Sequence, residues 1–453
     1  MSAPPKDLPF PQAMPETADP ADASPAPERE TQNLLTLAAH QIVWRVGWTF
    51  KTESIIVPAF VDTLAGPGRV GWVRGLLPLL KYVGQSLPPV FLAETLKGMR
   101  QKKWALVGLV VLASLPYLAL AGVLFATAGR KFWWMTPVLL AMHFAFFLFY
   151  GLYLLAFGTL QGRLIRATRR GQLLWGACFW GLFPTIVFCG WLMPGWLESP
   201  VPGWGYLFLS VGICFLLSAL VACFVREAPG HSDFMPRERA NGLRETLAAL
   251  RRDVNLRRLV VLILLSGIGL VIIPHYQWYA KRKLGLTDEY LVLFVITLTT
   301  AVSIYSLVLG PAADRWGYRL TLRLATLGAA IAPAYALCIP PSAGGEGAEW
   351  FWAVFIPLGL TPLVPTIMAN YALELCPPSE HPRYLSIVNL ALLPPYALSP
   401  LVGWLVDVSF EAVAIGALVL MLVCGGLTFW LEEPRRKNSC QLSVVSCQAT
   451  SDN

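Results

Sequence analysis

The chain has 453 residues, of which 56% are hydrophobic and only 14% are charged, and its mean hydropathy is +0.57. Soluble domains carry about a quarter of charged residues, so most of this chain is too apolar to face water. The composition therefore excludes an ordinary soluble protein and indicates that lipid surrounds most of the chain. The formal net charge of +8 then reflects basic loops at a membrane surface, not the binding of nucleic acid.

The amino-terminal residues 1–36 are rich in proline and cannot bury a core. We predict that this segment is a disordered cytoplasmic tail. We expect no signal peptide before the first apolar run.

Apolar runs long enough to cross a bilayer then follow one another, since a helix needs about 20 residues to cross the hydrocarbon. Six predicted helices form a first bundle within 37–225, at 37–64, 70–96, 104–128, 133–160, 173–193 and 206–225. Six more form a second bundle within 259–431, at 259–279, 290–312, 320–340, 350–375, 384–406 and 410–431. We predict an all-α membrane protein with twelve transmembrane helices in two pseudo-symmetric six-helix bundles.

Lysine and arginine are concentrated in alternate loops and in the segment 226–258 that joins the bundles. Because basic loops stay on the cytoplasmic side, we predict an inner cell membrane protein with both termini in the cytoplasm, including a tail over 432–453. The cluster Lys281 to Lys283 is an exception to this pattern. Apolar side chains recur at helical spacing within 226–258, which predicts an amphipathic linker helix on the membrane surface: Leu243, Leu247, Leu250 and Val254.

The sharpest motif stands between predicted helices eight and nine. It reads Gly310-Pro-Ala-Ala-Asp314-Arg315-Trp-Gly317-Tyr-Arg319. This loop resembles the signature of the major facilitator superfamily, in which an Asp-Arg pair lies between two glycines and a basic residue follows the second glycine. The glycines allow a tight turn and a close approach of helices, and Asp314 can face the N-terminus of a neighbouring helix, where the helix dipole stabilises it. The resemblance implies that Asp314 and Arg315 gate the cytoplasmic side.

The resemblance extends over 37–431 and implies the fold of that superfamily, in which helices one, four, seven and ten line a central path. The first bundle has only a degenerate copy of the loop, Glu94-Thr-Leu-Lys-Gly-Met-Arg100. Glu94 is the residue that we expect to gate there. An ordinary charged turn is the alternative interpretation of these loops.

Charged side chains inside membrane helices are costly, so they are candidates for a functional site. Predicted helix one carries Arg45, Lys51 and Glu53. At 100° per residue, Arg45, Thr49 and Glu53 share one face, and Lys51 points nearly the opposite way. We expect that shared face to line the central path, with Glu53 as a proton-coupling or ligand-binding carboxylate and Lys81 of helix two as its charge partner. A purely structural ion pair between the two helices is the alternative.

Polar side chains on three other helices extend the candidate path for substrate or protons. His143 and Tyr150 lie seven residues apart on helix four, His275 lies near the outer end of helix seven, and Asn370 lies on helix ten. A histidine can relay protons near neutral pH, but each of these groups can equally serve in packing or helix bridging. Prolines predict bends in helices ten and eleven: Pro357, Pro362, Pro365, Pro394, Pro395 and Pro400.

No phosphate-binding glycine loop, zinc-ligand spacing or serine nucleophile elbow occurs in the sequence, so we expect no enzyme, metal or cofactor. We predict a monomeric secondary active transporter in the lipid bilayer that moves a small solute by alternating access, with protons as the coupling ion. The excess of Arg45, Lys51 and Lys81 over Glu53 favours an anionic solute. The alternatives are a transporter-like receptor or scaffold, an efflux pump, and a membrane-embedded enzyme.

Overall fold

The computed structural model describes residues 27–66, 68, 70–97, 99, 101–128, 130–198, 201–227, 248–339, 347–376 and 380–433. Helices make up almost all of this part of the chain, and no strand occurs in it. Residues 248–252 are helical, but the rest of the predicted linker helix falls at 228–247, outside the described residues. The predicted tails at 1–26 and 434–453 also lie outside them.

In the described part of the first half there are seven α-helices: α1 Pro27–Phe50, α2 Ile56–Ala65, α3 Gly71–Lys97, α4 Lys102–Ala126, α5 Met135–Leu164, α6 Ala167–Glu198 and α7 Val201–Ala222. The prediction of a disordered tail was wrong for 27–36, because α1 already begins at Pro27. Proline fits the first position of a helix, where the missing N–H leaves no bond unmade. The buried Glu30 then ties this turn to the Arg166 side chain, with an Nη2–Oε2 distance of 2.8 Å.

Within the described residues, the second half contains α8 Val254–Leu270, α9 Tyr276–Arg282, α10 Glu289–Trp316, α11 Tyr318–Leu337, α12 Phe355–Leu358, α13 Leu363–Glu374, α14 His381–Ala397, α15 Ser399–Val408 and α16 Phe410–Leu427. The linker ends earlier than the predicted residue 258. Asp253 caps α8, since its side chain accepts hydrogen bonds from the N–H groups of Asn255 and Leu256.

Ten segments of the described chain are long and apolar enough to cross a membrane, from Lys102–Ala126 to Phe410–Trp430. The helix α2 is apolar but short. The helices α1 and α3 fall outside the set, and polar side chains such as His40, Gln41 and Arg45 interrupt the apolar run of α1. The count of twelve transmembrane helices therefore stays a prediction, while the all-α membrane architecture is confirmed.

Four of the predicted membrane helices are interrupted within the described residues. Residues 51–55 separate α1 from α2, residues 271–275 separate α8 from α9, the turn 359–362 separates α12 from α13, and Leu398 separates α14 from α15. The bends predicted from proline in helices ten and eleven are thus confirmed. The break in helix one lies just before Pro58, which has no N–H to bond to the carbonyl of Ser54, and its polar residues supply turn bonds there.

The two halves meet where the start of α3 crosses α15. A Cβ atom on Gly71 would lie 1.9 Å from the carbonyl oxygen of Gly403, and one on Gly75 would lie 2.3 Å from that of Ser399. Only the absence of side chains allows the two backbones to approach this closely. We call this end of the molecule the far end. The opposite end, which holds Pro27 and Glu433, is called the terminal end.

Candidate functional site

The break in helix one places polar side chains inside the membrane span. The Thr52 hydroxyl donates a hydrogen bond to the carbonyl of Thr49 at 2.5 Å, and the N–H of Ile55 donates to the carbonyl of Thr52 at 3.2 Å. These turn bonds replace helical ones, so the irregular backbone keeps its polar groups satisfied away from water. The prediction of one continuous helix was therefore wrong, and so was the prediction that Lys51 and Glu53 point in opposite directions.

Three charged side chains meet at this break, and we call Lys51, Glu53 and Lys81 the central cluster. One oxygen of Glu53 lies 2.6 Å from the Lys51 Nζ, and the other lies 2.6 Å from the Lys81 Nζ. The predicted pair of Lys81 with Glu53 is thus confirmed. Lys51 is fully buried, while 27% of the Lys81 side chain and 14% of the Glu53 side chain are exposed. Two ammonium groups face one carboxylate, which leaves an excess of one positive charge.

Aromatic rings enclose the buried ammonium of Lys51. Its Nζ lies 3.6 Å from the ring centroid of Trp48, 4.2 Å from that of Phe146 and 4.9 Å from that of Phe147, with Tyr117 at 5.7 Å. Cation–π attraction contributes about 2 kcal/mol when the cation is desolvated. The rings thus stabilise a charge that has no access to water.

Lys81 lies next to the boundary between the two halves. The adjacent Tyr82 stacks on Tyr396 of α14, with ring centroids 3.7 Å apart and planes at 11°. Tyr150 and Tyr396 also lie within electrostatic reach of the Lys81 ammonium. Because it is the most exposed member of the central cluster, Lys81 is the charge that a molecule between the two halves can meet first.

The structure separates Arg45 and Thr49 from the central cluster. Arg45 is half-buried along α6, where its Cδ lies 3.2 Å from the position of a Cβ on Gly181. The Thr49 hydroxyl donates to the carbonyl of Arg45 at 2.9 Å. Neither side chain bonds to Glu53. The predicted shared face was wrong, since α1 ends at Phe50 and the chain turns before Glu53.

Two of the other predicted residues flank the cluster. His143 is buried within electrostatic reach of Glu53, and its Nε2 lies 3.3 Å from the carbonyl oxygen of Leu77. Tyr150 packs on Trp48 with ring centroids 4.8 Å apart. Asn370, half-buried on α13, makes no hydrogen bond or ion pair to the cluster. The structure thus brings helix four to the cluster and leaves Asn370 apart.

A second group of buried charges joins the two halves at the far end, and we call Asp62, Arg74, His275, Gln277 and Asp407 the far-end clamp. The guanidinium of Arg74 is fully buried and bonds to Asp62 at 2.5 Å and to Asp407 at 2.7 Å. Its Nε–H donates to the Nδ1 of His275 at 3.2 Å. Predicted site residue His275 therefore lies in this clamp, away from the central cluster.

Each aspartate of the clamp is also held from the opposite half. Asp62 of the first half accepts a bond from the Gln277 amide at 2.9 Å, and Asp407 of the second half accepts one from the Gly71 N–H at 2.6 Å. With the close crossing of α3 and α15, these bonds hold the halves together at the far end. At the terminal end, polar contacts such as Glu30 with Arg166 and Arg258 with Glu432 join helices within one half.

The predicted gating loop is a one-residue turn. Gly317, at φ +87°, alone separates α10 from α11, so the predicted tight turn is confirmed. Arg319 donates to the carbonyl of Phe429 at 2.8 Å and fastens α11 to the end of the last helix. A Cβ on Gly310 would meet open space, so the close helix approach predicted there was wrong.

Three gating residues remain to be placed. Arg315 is exposed near the ring of Trp316, at 5.6 Å from its centroid. Asp314 and Glu94 lie on α10 and α3, but their side chains are outside the described part of the structure. Their gating role therefore stays a prediction.

Sequence reasoning missed four residues of the far-end clamp: Asp62, Arg74, Gln277 and Asp407. A signal was present for two of them. Asp62 and Arg74 lie inside predicted spans, at 37–64 and 70–96, where a charge is expensive. Asp407 comes directly after a predicted span, so its position resembles that of a surface residue. Gln277 carries no charge, so the cost of a buried charge does not identify it.

Two helical bundles that meet around buried charges define a multi-pass membrane protein of the transporter class. The sequence matches the family model of the Major Facilitator Superfamily at 49–391 and 303–443, and the chain belongs to this superfamily. The resemblance noted in the sequence is thus confirmed. Proteins of this superfamily sit in lipid and bind small solutes. A search of curated proteins finds no match to this sequence.

Solved transporter structures share the fold. A mutant of the nucleoside transporter NupG is 11% identical, with a TM-score of 0.64 and coverage of 88% of this chain and 98% of that one. A D-xylose–proton symporter is 15% identical, with a TM-score of 0.61 and the same coverage. A variant of the E. coli fucose:proton symporter FucP is 13% identical, with a TM-score of 0.56 and the same coverage. At these identities the likeness establishes the fold alone.

Proposed function

We propose that this chain is a proton-coupled secondary transporter that moves a small anionic solute by alternating access around the central cluster. The observation that carries the proposal is the excess of one positive charge among Lys51, Glu53 and Lys81 inside a membrane protein. Unpaired buried charge is costly, so a bound anion that supplies the missing negative charge is stabilised there.

Lys81 is the group that receives the anion. Its side chain is partly exposed at the boundary of the halves, whereas Lys51 is sealed among aromatic rings. A carboxylate of the solute takes one oxygen's place at Lys81, and Glu53 then keeps Lys51 as its partner. We infer that Tyr150 and Tyr396, which interact electrostatically with Lys81, help to orient such a solute.

Glu53 links this exchange to protons. A proton on Glu53 removes its negative charge and frees Lys81 from its internal partner, so protonation and anion binding favour each other. Two of the structural neighbours are named as proton symporters, which supports this choice of coupling ion. The alternative is a purely structural ion pair, in which Glu53 and Lys81 only hold helix one against helix two. It predicts that the solute has no effect on either group.

The remaining parts of the proposal concern orientation and assembly. The basic loops favour an inner cell membrane protein with both termini in the cytoplasm. We infer that the protein acts there as a monomer and has no enzymatic activity. In that orientation the far-end clamp closes the side away from the cytoplasm. The structure then represents a state closed to the outside.

The test begins with binding to the purified protein. Monocarboxylates, dicarboxylates, sugars and nucleosides are screened for thermal stabilisation at about pH 6 and about pH 7.5, since a ligand of the native state raises its apparent stability. We expect carboxylates to stabilise the wild type and to lose this effect in Lys81→Gln. Lys283→Gln is the matched control, because it removes an exposed lysine at the far end and should behave as wild type.

Transport is then measured in proteoliposomes with the best carboxylate. We expect uptake driven by an inward proton gradient in the wild type, and gradient-independent exchange in Glu53→Gln. Uptake that is unchanged in Lys81→Gln, or stabilisation by neutral solutes only, contradicts the anionic solute. Binding without any flux would favour the receptor alternative instead.

A further inference from the structure

We propose that His275 is a proton-binding site that releases the far-end clamp. The inference concerns the contact between the halves and depends neither on Glu53 nor on the identity of the solute. A negative result for His275 would not contradict the proposed transport function, and a negative result for transport would not contradict the role of His275.

The hydrogen-bond geometry of His275 defines its charge state in the closed clamp. Arginine carries only donors, so the contact between the Arg74 Nε and the His275 Nδ1, at 3.2 Å, requires an unprotonated Nδ1. The single ring proton is then on Nε2, which is buried and has no hydrogen-bond partner among the described residues. The closed clamp therefore holds a neutral imidazole as an acceptor for a cation.

A second ring proton is incompatible with this arrangement. It would sit on Nδ1 and point at the Nε–H of Arg74, so that two donors and two positive charges would face each other. The imidazolium would also bring Nδ1–H into a space already filled by the guanidinium, which is bound to Asp62 and Asp407. Protonation of His275 thus opposes the contact that holds the first half to the second.

The charged groups around His275 favour the arrival of a proton. Asp62 of α2 and Asp407 of α15 each carry one negative charge, and Arg74 of α3 offsets only one of them. Lys281 of α9 acts on Asp62 from a distance, but it is already paired with Asp288. The clamp therefore has an excess of one negative charge, which a proton neutralises.

Histidine, and not an aspartate, is the group suited to take this proton near neutral pH. All four carboxylate oxygens of Asp62 and Asp407 accept a bond, from Arg74, Gln277 or the Gly71 N–H. A proton on either aspartate would displace one of these bonds, whereas the imidazole of an opened clamp is a group that takes up a proton near neutral pH.

Linkage then sets the direction of the pH effect. The closed clamp excludes the second proton of His275, and the opened clamp exposes the imidazole to water. Acidification on the far side therefore favours opening, by up to about tenfold in the open-to-closed ratio for each pH unit below the titration of the free imidazole. Above that range the clamp stays closed.

The experiment follows hydrogen–deuterium exchange of α2 and α15 in the full-length protein in nanodiscs, between about pH 5.5 and about pH 7.5, after correction for the intrinsic pH dependence of exchange. In the wild type we expect severalfold faster exchange in these two helices at the acidic end and no change in α4. His275→Asn should abolish the pH dependence, since its side-chain oxygen replaces Nδ1 as an acceptor and does not titrate.

Two further variants complete the test. His40→Gln removes another buried histidine, which bonds to Ser218 and Tyr153 within the first half, and should keep the wild-type pH dependence. Arg74→Gln should exchange rapidly at every pH. Wild-type exchange in α2 and α15 that does not vary with pH, or a pH dependence that persists unchanged in His275→Asn, overturns the proposal.

Discussion

Replacement of Glu53 by glutamine tests the physical basis of the central cluster. In the wild type its two oxygens lie 2.6 Å from the ammonium groups of Lys51 and Lys81. The amide keeps the shape of the carboxylate and removes the charge. Lys51 then remains as a cation with no exposed surface and no counter-ion, whereas Lys81 can turn toward the space between the halves.

The expected magnitude follows from this difference in burial. Loss of one partner from a buried ion pair costs about 3–5 kcal/mol, and the cation–π contacts of Lys51, which persist, place Glu53→Gln near the lower end of that range. Lys81→Gln should cost less than about 1 kcal/mol, because Glu53 keeps Lys51 and the Lys81 side chain is 27% exposed. The double variant Lys51→Met with Glu53→Gln should recover about 2 kcal/mol, since methionine fits among the aromatic rings without a charge.

Unfolding in a denaturing-detergent titration, followed by tryptophan fluorescence, measures these differences. The seventeen tryptophans give a strong signal. The reasoning would be refuted if Glu53→Gln were as stable as Lys81→Gln. It would equally be refuted if the costs of Lys51→Met and Glu53→Gln simply added in the double variant, because the two residues would then not be coupled.

Two further predictions concern the terminal end. Gly317→Ala should destabilise the protein by at least about 1 kcal/mol, because φ is +87° and the new Cβ would lie 2.4 Å from a carboxylate oxygen of Glu433. Gly310→Ala lies in open space within α10 and should leave stability unchanged or increase it. Unfolding curves of the two variants measure this contrast, and equal costs would contradict it. The hydrogen bond from Arg166 holds the pKa of Glu30 below its usual value. The stabilisation by Glu30 is therefore present above about pH 4.3 and is lost as the pH falls through the lower pKa of the folded state. Amide exchange over 27–36 should be faster in Glu30→Gln at neutral pH, and in the wild type it should become faster only in acid. Equal exchange in both proteins at neutral pH would contradict this role.

The architecture could be predicted from the sequence because it depends on long apolar runs and one strong loop motif. Gly317 illustrates this, since a glycine between two such runs left few alternatives to a tight turn. The pairing of Lys81 with Glu53 was also predictable, because two opposite charges on neighbouring membrane helices have strong reasons to meet.

The break after Phe50 was not predictable from apolar periodicity. The segment Lys51 to Ile55 contains no proline or glycine itself, but Pro58 follows it and has no N–H to bond to the carbonyl of Ser54. Thr49 and Thr52 supply turn bonds there, and Glu53 pairs with two lysines. Projection of an ideal helix through this segment therefore put Lys51 on the wrong side. The clamp was missed for a related reason, since its contacts join residues from three distant parts of the chain.

The two buried clusters have opposite imbalances of charge, and the chain runs from one to the other through the start of α2. The central cluster has one positive charge too many, and the far-end clamp has one negative charge too many. Glu53 lies just before α2, and Asp62 lies within that short helix. Under the two proposals, an anion neutralises the first cluster while Glu53 is charged, and a proton on His275 neutralises the second. A proton on Glu53 leaves one excess positive charge even with the anion bound, so Glu53 is deprotonated in the fully neutral state. Movement of the halves around a neutral interior avoids the cost of moving an unpaired charge through a medium of low dielectric constant. The imbalance of each cluster, which is unfavourable in the empty protein, is thus a physical reason for each cluster to bind an ion of the opposite charge.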